Sequence, residues 1–361
     1  MTRTIRYGLI GAGMMGLEHL RNLALTPDAE VTALADPVAT SLEAARATIG
    51  GRWKPAEFAD AAALAASGLV DAVIVASPNH THRRVLEPLF DAGLHILCEK
   101  PMATTLPDAR WVAARAGRYE RTFWVGMEYR YMPPAAEFIR QVHAGRAGAL
   151  RMLSIREHRY PFQPKVGDWN RFNENTGGTM VEKCCHFFDL MRLIVRAEPV
   201  QVYCSGAMDV NHLDERYGGR QPDIIDNSYT IVDFANGVRA MLDLCMFADG
   251  PEEEEEISAV GDAARLDVTV PGGAITYSPR VGRKNPKRVE RQVVAVEESA
   301  LKAGAHFGST LYQHAHFAAA VRGDGPVQGG ADDGLRAVAI GVAAEISARE
   351  KRAVAMAELG F

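Results

Sequence analysis

The amino-acid sequence predicts an α/β protein whose N-terminal part is a doubly wound parallel sheet. The first supporting observation is a glycine-rich turn at residues 11–16, between a strand-like and a helix-like segment. The second is the alternation of strand-like and helix-like segments through the first third of the chain. In addition, later segments alternate in hydrophobicity around the turn dipeptide Asn236-Gly237, which predicts sheet strands in a second domain.

The first strand, within TIRYGLIGAG, runs into the turn GAGMMG and then into a helical pattern. Gly11 permits the tight turn, Gly13 lets a pyrophosphate approach the backbone, and Gly16 lets the helix pack closely against the strand. The N-terminus of the helix supplies N–H groups to the phosphates. The turn therefore predicts a dinucleotide site, with Met14 and Met15 among its contacts.

The second strand, EVTALADP, ends in Asp36, about 20 residues after the turn. A carboxylate at this position accepts hydrogen bonds from both hydroxyls of the adenosine ribose and repels a 2′-phosphate. No Arg or Lys lies within the next nine residues to bind such a phosphate. The predicted cofactor is therefore NAD rather than NADP.

Two further strands, VDAVIVASP and LHILCEKP, are separated by a helical segment. Ligands of doubly wound sheets bind beyond the carboxyl ends of the strands. The segments SPNHTH and CEKP, which follow these strands, are therefore candidate contacts for the cofactor or the substrate.

The composition excludes several classes of protein. With 361 residues, 24% of them charged, and a net charge of -5, nothing indicates a nucleic-acid partner. The five cysteines are scattered without C-x-x-C pairs, which favours a reducing compartment over a disulfide framework. The N-terminus lacks the pattern of a signal peptide, and no apolar stretch is long enough to cross a membrane. We expect a cytoplasmic protein without a membrane partner.

The segment GGTMVEKCCHFFDLM, residues 177–191, places two cysteines beside a histidine. Successive residues of a helix diverge by about 100°, so Cys184, Cys185 and His186 cannot converge on one ion. No second pair of ligands at a suitable spacing is present, and we predict no metal site. Cysteines beside phenylalanines are more typical of a core. Glu182 and His186, four residues apart, would lie about 40° apart on one face of a helix.

The segments ASPNHTHRRV and AGLHILCEKPMATT resemble the glucose–fructose oxidoreductase, inositol dehydrogenase and rhizopine catabolism family. The resemblance implies a Rossmann domain, expected at residues 1–124, and an α+β domain with an open, largely antiparallel sheet, expected at 125–361. Most members move a hydride between a nicotinamide and a ring carbon of a sugar or cyclitol. The open sheet face commonly forms the oligomer contact, which implies a homodimer or homotetramer.

The resemblance also implies roles for individual residues. The cofactor positions beyond the glycine turn and Asp36 match Ser77, Asn79, His82, Glu99 and Lys100. A second motif, GGG-x-x-x-D-x-x-x-H, has Glu182 in the aspartate position and His186 in the histidine position. We expect His186 to take the proton of the substrate hydroxyl, Lys100 to share it or stabilise the oxyanion, and Glu182 to orient the pair. The segment GMEYRYMP keeps the family's arginine but has Glu128 where Asn is common.

The segment REHRYPFQPKVGDWNRFNENTGG, residues 156–178, is predicted to be a strand followed by an irregular loop. Arginines and a tryptophan suit a polar or anionic sugar, and an ordinary charged surface loop is the alternative. Lys183 is expected on the solvated side of its helix, with a substrate contact as the alternative. The acidic run PEEEEEI is expected to be a solvated strand edge. The candidate substrate contacts are Arg130, Arg159, Tyr160, Trp169, Arg171 and Lys183.

The sequence thus predicts an NAD-dependent dehydrogenase that oxidises a secondary hydroxyl of a sugar, sugar acid or cyclitol. One alternative is an NAD-requiring glycosidase that oxidises C3 transiently, eliminates the aglycone and restores the hydride. That cycle needs a further base, for which Glu182, Lys183 and Tyr160 are candidates. It would suit an anionic glycoside such as a uronate or a sulfonated hexose. A catalytically inert NAD-binding sensor is the other alternative.

Overall fold

The computed structural model describes residues 3–283 and 288–361, which form two sheets with helices packed around them. The first sheet is parallel throughout and has the strand order β3-β2-β1-β4-β5-β6. Its strands are β1 (Ile5–Ile10), β2 (Ala29–Ala35), β3 (Ala56–Phe58), β4 (Ala72–Val75), β5 (His95–Cys98) and β6 (Phe123–Val125). This order confirms the predicted doubly wound sheet.

Helices connect the parallel strands. They are α1 (Met14–Leu23), α2 (Ala39–Ile49), α3 (Ala61–Ala66), α4 (His82–Asp91) and α5 (Leu106–Ala116). The starts of α3 and α5 follow local sequence signals, because Asp60 accepts a hydrogen bond from the Ala63 N–H and Thr105 accepts one from the Asp108 N–H. All four residues of β4 are buried, as expected for a strand covered on both faces.

The second sheet is mostly antiparallel, with one parallel pair, β7 and β10. Its strand order among the described residues is β14-β13-β12-β11-β7-β10-β9-β8-β15. Its strands are β7 (Leu150–His158), β8 (Pro199–Ala207), β9 (Asn227–Phe234), β10 (Arg239–Cys245), β11 (Glu255–Gly261), β12 (Ala264–Val270), β13 (Ala274–Pro279), β14 (Glu290–Val293) and β15 (Val354–Ala355). The predicted open, largely antiparallel sheet is confirmed.

Seven helices accompany this sheet in the described residues. They are α6 (Pro133–His143), α7 (Asn173–Thr176), α8 (Thr179–Glu182), α9 (Cys185–Val195), α10 (Glu298–Ala303), α11 (Ser309–Arg322) and α12 (Ala331–Glu350). One face of the sheet packs against α6, α9 and α12 and forms the larger core. Helix α12 also contacts α5 and β6, so it packs against both sheets. No helix of the described part is long and apolar enough to span a membrane.

The other face of the second sheet carries exposed apolar side chains. Tyr203 on β8, Ile231 on β9 and Met241 on β10 are neighbours across the strands and lie in one row. Their exposed fractions are 40%, 45% and 38%. Tyr229, two residues before Ile231, is 61% exposed on the same side.

Two expectations about the secondary structure are wrong. The catalytic segment is not one helix, because α8 ends at Glu182 and α9 begins at Cys185, with Lys183 and Cys184 between them. The acidic run is not a sheet edge, because β11 lies between β12 and β7 and Glu255 is buried. Alternation along β11 puts Glu255 on the same face as Ile257, which faces the core.

Candidate active site

A cavity of about 640 Å³ lies at the carboxyl ends of the parallel strands. Its volume is in the range of small-molecule and cofactor sites. One end is lined by the glycine turn and Asp36, and the other by Glu99, Lys100 and Glu182. The cavity therefore joins the predicted dinucleotide site to two of the predicted catalytic residues, Lys100 and Glu182, while His186 is not among the residues that line it.

The glycine turn shapes one wall of the cavity. Gly11 has a φ of +89°, and a Cβ atom there would lie 2.5 Å from the backbone nitrogen of Ser77. A Cβ atom on Gly16 would lie 2.1 Å from the Gly11 carbonyl oxygen, so only glycine allows α1 to pack this closely. A Cβ atom on Gly13 would meet nothing within 4 Å, and this residue borders the cavity. Met14 and Met15 also line it.

Asp36 follows β2 and lies at the rim of the same cavity. Its Oδ2 accepts the Ala12 N–H at 2.8 Å, and its Oδ1 accepts the Val38 N–H at 2.8 Å. These bonds hold the carboxylate beside the glycine turn. The remaining lone pairs of its two oxygens are available to a ligand.

The segments after β4 and β5 form the middle of the cavity. Ser77 and Asn79 line it, and Asn79 Nδ2 is buried without a hydrogen-bond partner in the described part of the chain. His82 differs from its expected role, because it does not line the cavity. Its imidazole bridges the Pro101 carbonyl at 2.9 Å and the Ser77 carbonyl at 3.0 Å, which ties the two segments together.

Lys100 contacts the catalytic segment through the backbone. Its Nζ donates to the carbonyl oxygen of Glu182 at 3.3 Å, at the point where α8 ends. Glu99 beside it accepts the Lys100 N–H at 3.2 Å and pairs with His19 Nε2 at 3.0 Å. Lys100 is thus held at its backbone by Glu99 and at its ammonium group by the carbonyl of Glu182.

His186 lies on the first turn of α9 and is almost fully buried. Its ring stacks on Tyr129, with centroids 4.0 Å apart and an angle of 9° between the planes. Burial, and then the positive charges of Lys100 and Lys183, hold the pKa of His186 well below its usual value. The imidazole is therefore neutral near pH 7 and can accept a proton. Its Nδ1 has no hydrogen-bond partner among the described residues.

The loop that follows β7 lies over the cavity. Lys165, Val166 and Trp169 line it, and Lys165 Nζ lies 3.3 Å from Glu182 Oε1. The Lys165 ammonium is also 4.7 Å from the centre of the Trp169 ring. Glu182 is thus paired with the loop, and its side chain forms no hydrogen bond or ion pair with His186. Its Oε2 is buried without a hydrogen-bond partner in the residues described.

Two family models match consecutive parts of the chain. An oxidoreductase family with an NAD-binding Rossmann fold matches residues 5–127, and the C-terminal alpha/beta domain of that family matches residues 139–356. The chain belongs to the Gfo/Idh/MocA family. It is an NAD-binding oxidoreductase of that family, as the resemblance in its motifs implied.

Relatives of this Gfo/Idh/MocA protein include inositol dehydrogenases. The rhizopine catabolism protein MocA of Rhizobium meliloti is 34% identical over 200 residues, a match that spans 55% of this chain and 59% of that protein. The inositol 2-dehydrogenase of Rhizobium meliloti strain 1021 is 26% identical over 361 residues, spanning 98% of this chain and 100% of that protein. Levoglucosan dehydrogenase, solved with NADH and levoglucosan, has the same fold, with a TM-score of 0.86 at 18% identity over 98% of this chain and 100% of that chain.

The residues around the cavity fit the family's cofactor, NAD. The open space at Gly13 suits a pyrophosphate, and the carboxylate of Asp36 at the far rim suits ribose hydroxyls. The unpaired amide of Asn79 provides a further hydrogen-bond donor. At the other end, Lys100 and Glu99 border the space that a nicotinamide would fill.

Two predicted substrate contacts have other partners. The guanidinium of Arg130 is buried, bonds both carboxylate oxygens of Asp189 and also donates to the Gln328 carbonyl. Lys183 is not on a solvated face: its side chain is 4% exposed and its Nζ lies 2.7 Å from Glu157 Oε1. The helix break turns Lys183 into the core of this Gfo/Idh/MocA protein, where it also donates to the Tyr129 hydroxyl.

The other predicted contacts lie around the loop. Arg159 packs its guanidinium over the Tyr160 ring at 4.5 Å and remains 15% exposed. Arg171 is 3% exposed and donates through Nε to Glu215 at 2.9 Å, which makes it a support of the loop. Trp169 lines the cavity, and its ring lies edge-on to His80.

The two adjacent cysteines are core residues, as their neighbours in the sequence indicated. Cys184 and Cys185 are fully buried among apolar side chains. Burial raises the pKa of the Cys185 thiol to about 12. Neither thiol is ionised near neutral pH, which argues against a nucleophilic cysteine.

Sequence reasoning missed several buried ionisable residues beside His186. Glu128 faces His186, and His306 faces Tyr129, on which His186 stacks. Glu157 and Glu255 lie beside Lys183. Glu157 and Glu255 are cross-strand neighbours on β7 and β11, and burial raises the pKa of Glu255 well above its usual value. Two of them gave a signal in the sequence: Glu128 departs from the Asn that is common in the motif, and Glu255 lies two residues before Ile257, on the same face of a strand.

Proposed function

We propose that this protein is an NAD-dependent dehydrogenase that oxidises a secondary hydroxyl of a sugar, sugar acid or cyclitol. The observation that carries the proposal is the contact between the Lys100 ammonium and the Glu182 carbonyl at the cavity wall, 3.3 Å apart. It places a cation at the cofactor cavity, close to the segment that carries the neutral imidazole of His186. Relatives named for inositol and levoglucosan support a polyol substrate.

The chain's residues divide the work of alcohol oxidation between them. Bound NAD supplies the acceptor for the hydride. The Lys100 ammonium donates a hydrogen bond to the substrate oxygen and stabilises the negative charge that develops there. His186, neutral because burial and Lys100 lower its pKa, takes the hydroxyl proton on a ring nitrogen. Glu182 acts on this step through its carbonyl, which orients Lys100.

The loop over the cavity is proposed to bind the substrate. The ring of Trp169 offers an apolar face to the C–H side of a sugar or cyclitol ring. Lys165 and the partly exposed Arg159 offer hydrogen bonds to hydroxyl groups or to a carboxylate. Tyr160 packs beneath Arg159 and fixes its orientation.

Asp36 is proposed to select NAD over NADP. Its carboxylate is held at the cavity rim by two backbone N–H groups. A bound 2′-phosphate would meet this negative charge, and no cation lies within the nine residues that follow.

The proposal is tested by following NADH absorbance with a panel of cyclitols, aldoses and uronic acids. We expect steady NADH formation with at least one member, and a loss of about 100-fold or more in kcat/KM in Lys100→Met and His186→Asn. Lys54→Met, which alters an exposed lysine away from the cavity, is the matched control. Full activity of either Lys100→Met or His186→Asn would refute the role assigned to that residue.

The same preparation distinguishes the two alternative functions. Aryl glycosides, neutral and anionic, are incubated with the protein while aglycone and NADH are measured together. Many aglycones per NAD without accumulating NADH would replace the proposal with the redox-neutral glycosidase. NAD binding without turnover of any polyol or glycoside would replace it with a sensor.

A further inference from the structure

A group of buried acid–base residues lies behind His186, and the proposed reaction as described does not use it. Glu128, in the 3₁₀ segment after β6, has a fully buried side chain. Glu18 comes from α1, Thr310 from the first turn of α11, and His306 from the segment that precedes α11. Four separate parts of the chain therefore bring these side chains to one place.

One hydroxyl group joins the two carboxyl groups. Thr310 Oγ1 lies 2.9 Å from Glu18 Oε1 and 3.0 Å from Glu128 Oε2. A hydroxyl group has a single proton, so it donates to one carboxylate, and a full bond to the other needs a proton on that carboxyl. The geometry therefore favours one ionised and one protonated carboxyl group.

The surroundings decide which carboxyl holds the proton. Burial opposes ionisation of Glu18, but His306 Nδ1, 3.1 Å from its Oε1, outweighs burial and lowers the pKa of Glu18 to about 2. Burial raises the pKa of Glu128, and the negative charges of Glu99 and Glu18 add to this rise against the opposing effect of His306. Glu128 is therefore the protonated partner. Its carboxyl O–H donates to the Thr310 hydroxyl oxygen, and the Thr310 hydroxyl donates to Glu18.

The other oxygen of Glu128 faces His186. Glu128 Oε1 lies 4.0 Å from His186 Nε2 and 3.6 Å from His306 Nδ1, and it has no hydrogen bond within residues 3–283 and 288–361. A side-chain movement of about 1 Å would bring Oε1 within hydrogen-bond distance of His186 Nε2. The side chain of His306 is 24% exposed, so the group reaches solvent at its far end.

We propose that Glu128 relays the substrate's proton from His186 toward solvent, through Thr310, Glu18 and His306. This inference rests on the proposed function, in which His186 accepts the hydroxyl proton. It assigns a role to a glutamate that stands where asparagine is common in the family motif.

The relay moves one proton and no electrons beyond the hydride taken by the cofactor. The substrate O–H proton binds one ring nitrogen of His186, and the proton on Nε2 passes to Glu128 Oε1. The proton already on Glu128 Oε2 passes to Thr310 Oγ1, whose own proton passes to Glu18. His306 releases a proton to water and then takes the proton that Glu18 has received, which restores their ion pair. Rotation of the Glu128 carboxyl group and of the Thr310 hydroxyl group, and a flip of the His186 ring, then return the remaining protons to their starting positions. Asparagine at position 128 could not carry out this transfer.

Charged and titratable groups from several elements face Glu128. They are Glu18 of α1, Glu99 and Lys100 after β5, His186 of α9 and His306 before α11.

The main test is Glu128→Gln, which keeps the size of the side chain but cannot pass a proton from one oxygen to the other. We expect kcat to fall roughly 10- to 100-fold, while KM and NAD affinity change less than about twofold. The solvent deuterium isotope effect should rise and the effect of substrate C–H deuteration should shrink, because proton transfer becomes limiting. Glu120→Gln, at an exposed position, is the control.

A second pair of variants keeps the test decisive if Glu128→Gln folds poorly. Thr310→Val removes the hydroxyl and keeps the branched shape, and we expect the same isotope signature. Thr310→Ser restores the hydroxyl and should recover most of the lost rate. If Thr310→Val and Glu128→Gln both match the wild type in kcat and isotope effects, the relay is refuted.

A readout without turnover separates the relay from the proposed function. Infrared spectroscopy of the NAD complex at neutral pH should detect the C=O stretch of a protonated carboxyl that disappears in Glu128→Gln and persists in Glu120→Gln. Absence of that difference overturns the relay alone. If His186→Asn keeps full activity, the proposed function and the relay both fall.

Discussion

Lys165 Nζ lies 3.3 Å from Glu182 Oε1, and this ion pair joins the loop over the cofactor cavity to the segment that carries His186. The Glu182 side chain is 3% exposed and that of Lys165 is 26% exposed. Because the loop also contributes Trp169 to the cavity, the pair fixes the distance between the proposed substrate contacts and the proposed base.

Lys165→Met is therefore expected to affect substrate binding more than chemistry. We predict a rise in substrate KM of roughly 3- to 10-fold with less than about a twofold change in kcat. The free energy of unfolding should fall by about 1 kcal/mol, because one partner of the pair is partly solvated. Steady-state kinetics and urea unfolding measure both effects. Lys302→Met, at an exposed i,i+4 pair on α10, is the control. A lower kcat with an unchanged substrate KM would contradict this role.

Asp36→Asn is expected to change cofactor preference. The amide keeps an acceptor for a backbone N–H but removes the negative charge that opposes a 2′-phosphate. We predict about a 10-fold weaker affinity for NAD and a tighter affinity for NADP, both measured by calorimetry. Asp249→Asn, an exposed substitution, should change neither affinity. Wild-type protein that binds NADP as tightly as NAD would show that the role assigned to Asp36 is wrong.

The pH profile of the reaction should reflect the neutral state of His186. Burial and then Lys100 and Lys183 hold the pKa of His186 well below its usual value, near 6.5. The base is active only when unprotonated, so the acid limb of kcat/KM should lie below pH 6.5. We expect full activity at pH 6.5 and a loss only at lower pH. A half-maximal rate at or above pH 6.5 would indicate another base.

Glu345 should make the protein less stable as the pH rises. Burial raises the pKa of its carboxyl from 4.5 to about 7, against the opposing hydrogen bond from the Met180 N–H. Between these values the folded chain keeps a proton that the unfolded chain has lost. Its contribution to stability is therefore complete below pH 4.5 and lost as the pH rises through 7, by at most about 3 kcal/mol.

Glu345→Gln is predicted to remove this dependence while keeping an acceptor for Met180. Its free energy of unfolding should exceed that of the wild type at pH 8 and approach it at pH 4.5, measured by urea titration. Glu43→Gln, at an exposed position on α2, should track the wild type at both pH values. Equal curves for Glu345→Gln and the wild type would contradict the raised pKa.

The exposed row on the second sheet predicts self-association. Tyr203, Ile231 and Met241 lie side by side on a face that no helix of the described residues covers. We expect a homodimer or homotetramer through this face, and Ile231→Asp should lower the sedimentation coefficient toward that of a monomer. Leu69→Asp, a 38% exposed site before the parallel sheet's β4, is the control. Identical sedimentation of Ile231→Asp and the wild type would refute the interface.

The parallel sheet could be predicted because its signals are local. The glycine turn, Asp36 and the alternation of strands and helices all lie within short stretches of sequence. Strand β3 was not predicted, since three residues of Ala-Glu-Phe carry no clear periodicity. The cysteines were also placed correctly, because apolar neighbours are a local signal.

The helix break at Lys183 could not be predicted in the same way. Helical spacing alone put Glu182 and His186 on one face, and Lys183 toward solvent. The observed position of Lys183 depends on Glu157, which β7 brings from 26 residues earlier, and on Glu255 of β11. Long-range pairing outweighs helix propensity here, since a buried ammonium needs a carboxylate partner. The burial of Glu255, in contrast, could be predicted, because Glu255 lies two residues before Ile257 and would share its face of a strand.

The acceptor that holds Lys100 is a main-chain carbonyl, exposed to the lysine where α8 ends. A carbonyl is present whatever side chain occupies position 182. Divergence at this site, such as the exchange of aspartate for glutamate, can therefore reshape the substrate cavity without releasing the lysine. Within this one residue, the side chain can change to suit a new substrate, while the backbone carbonyl keeps the lysine in place for the reaction.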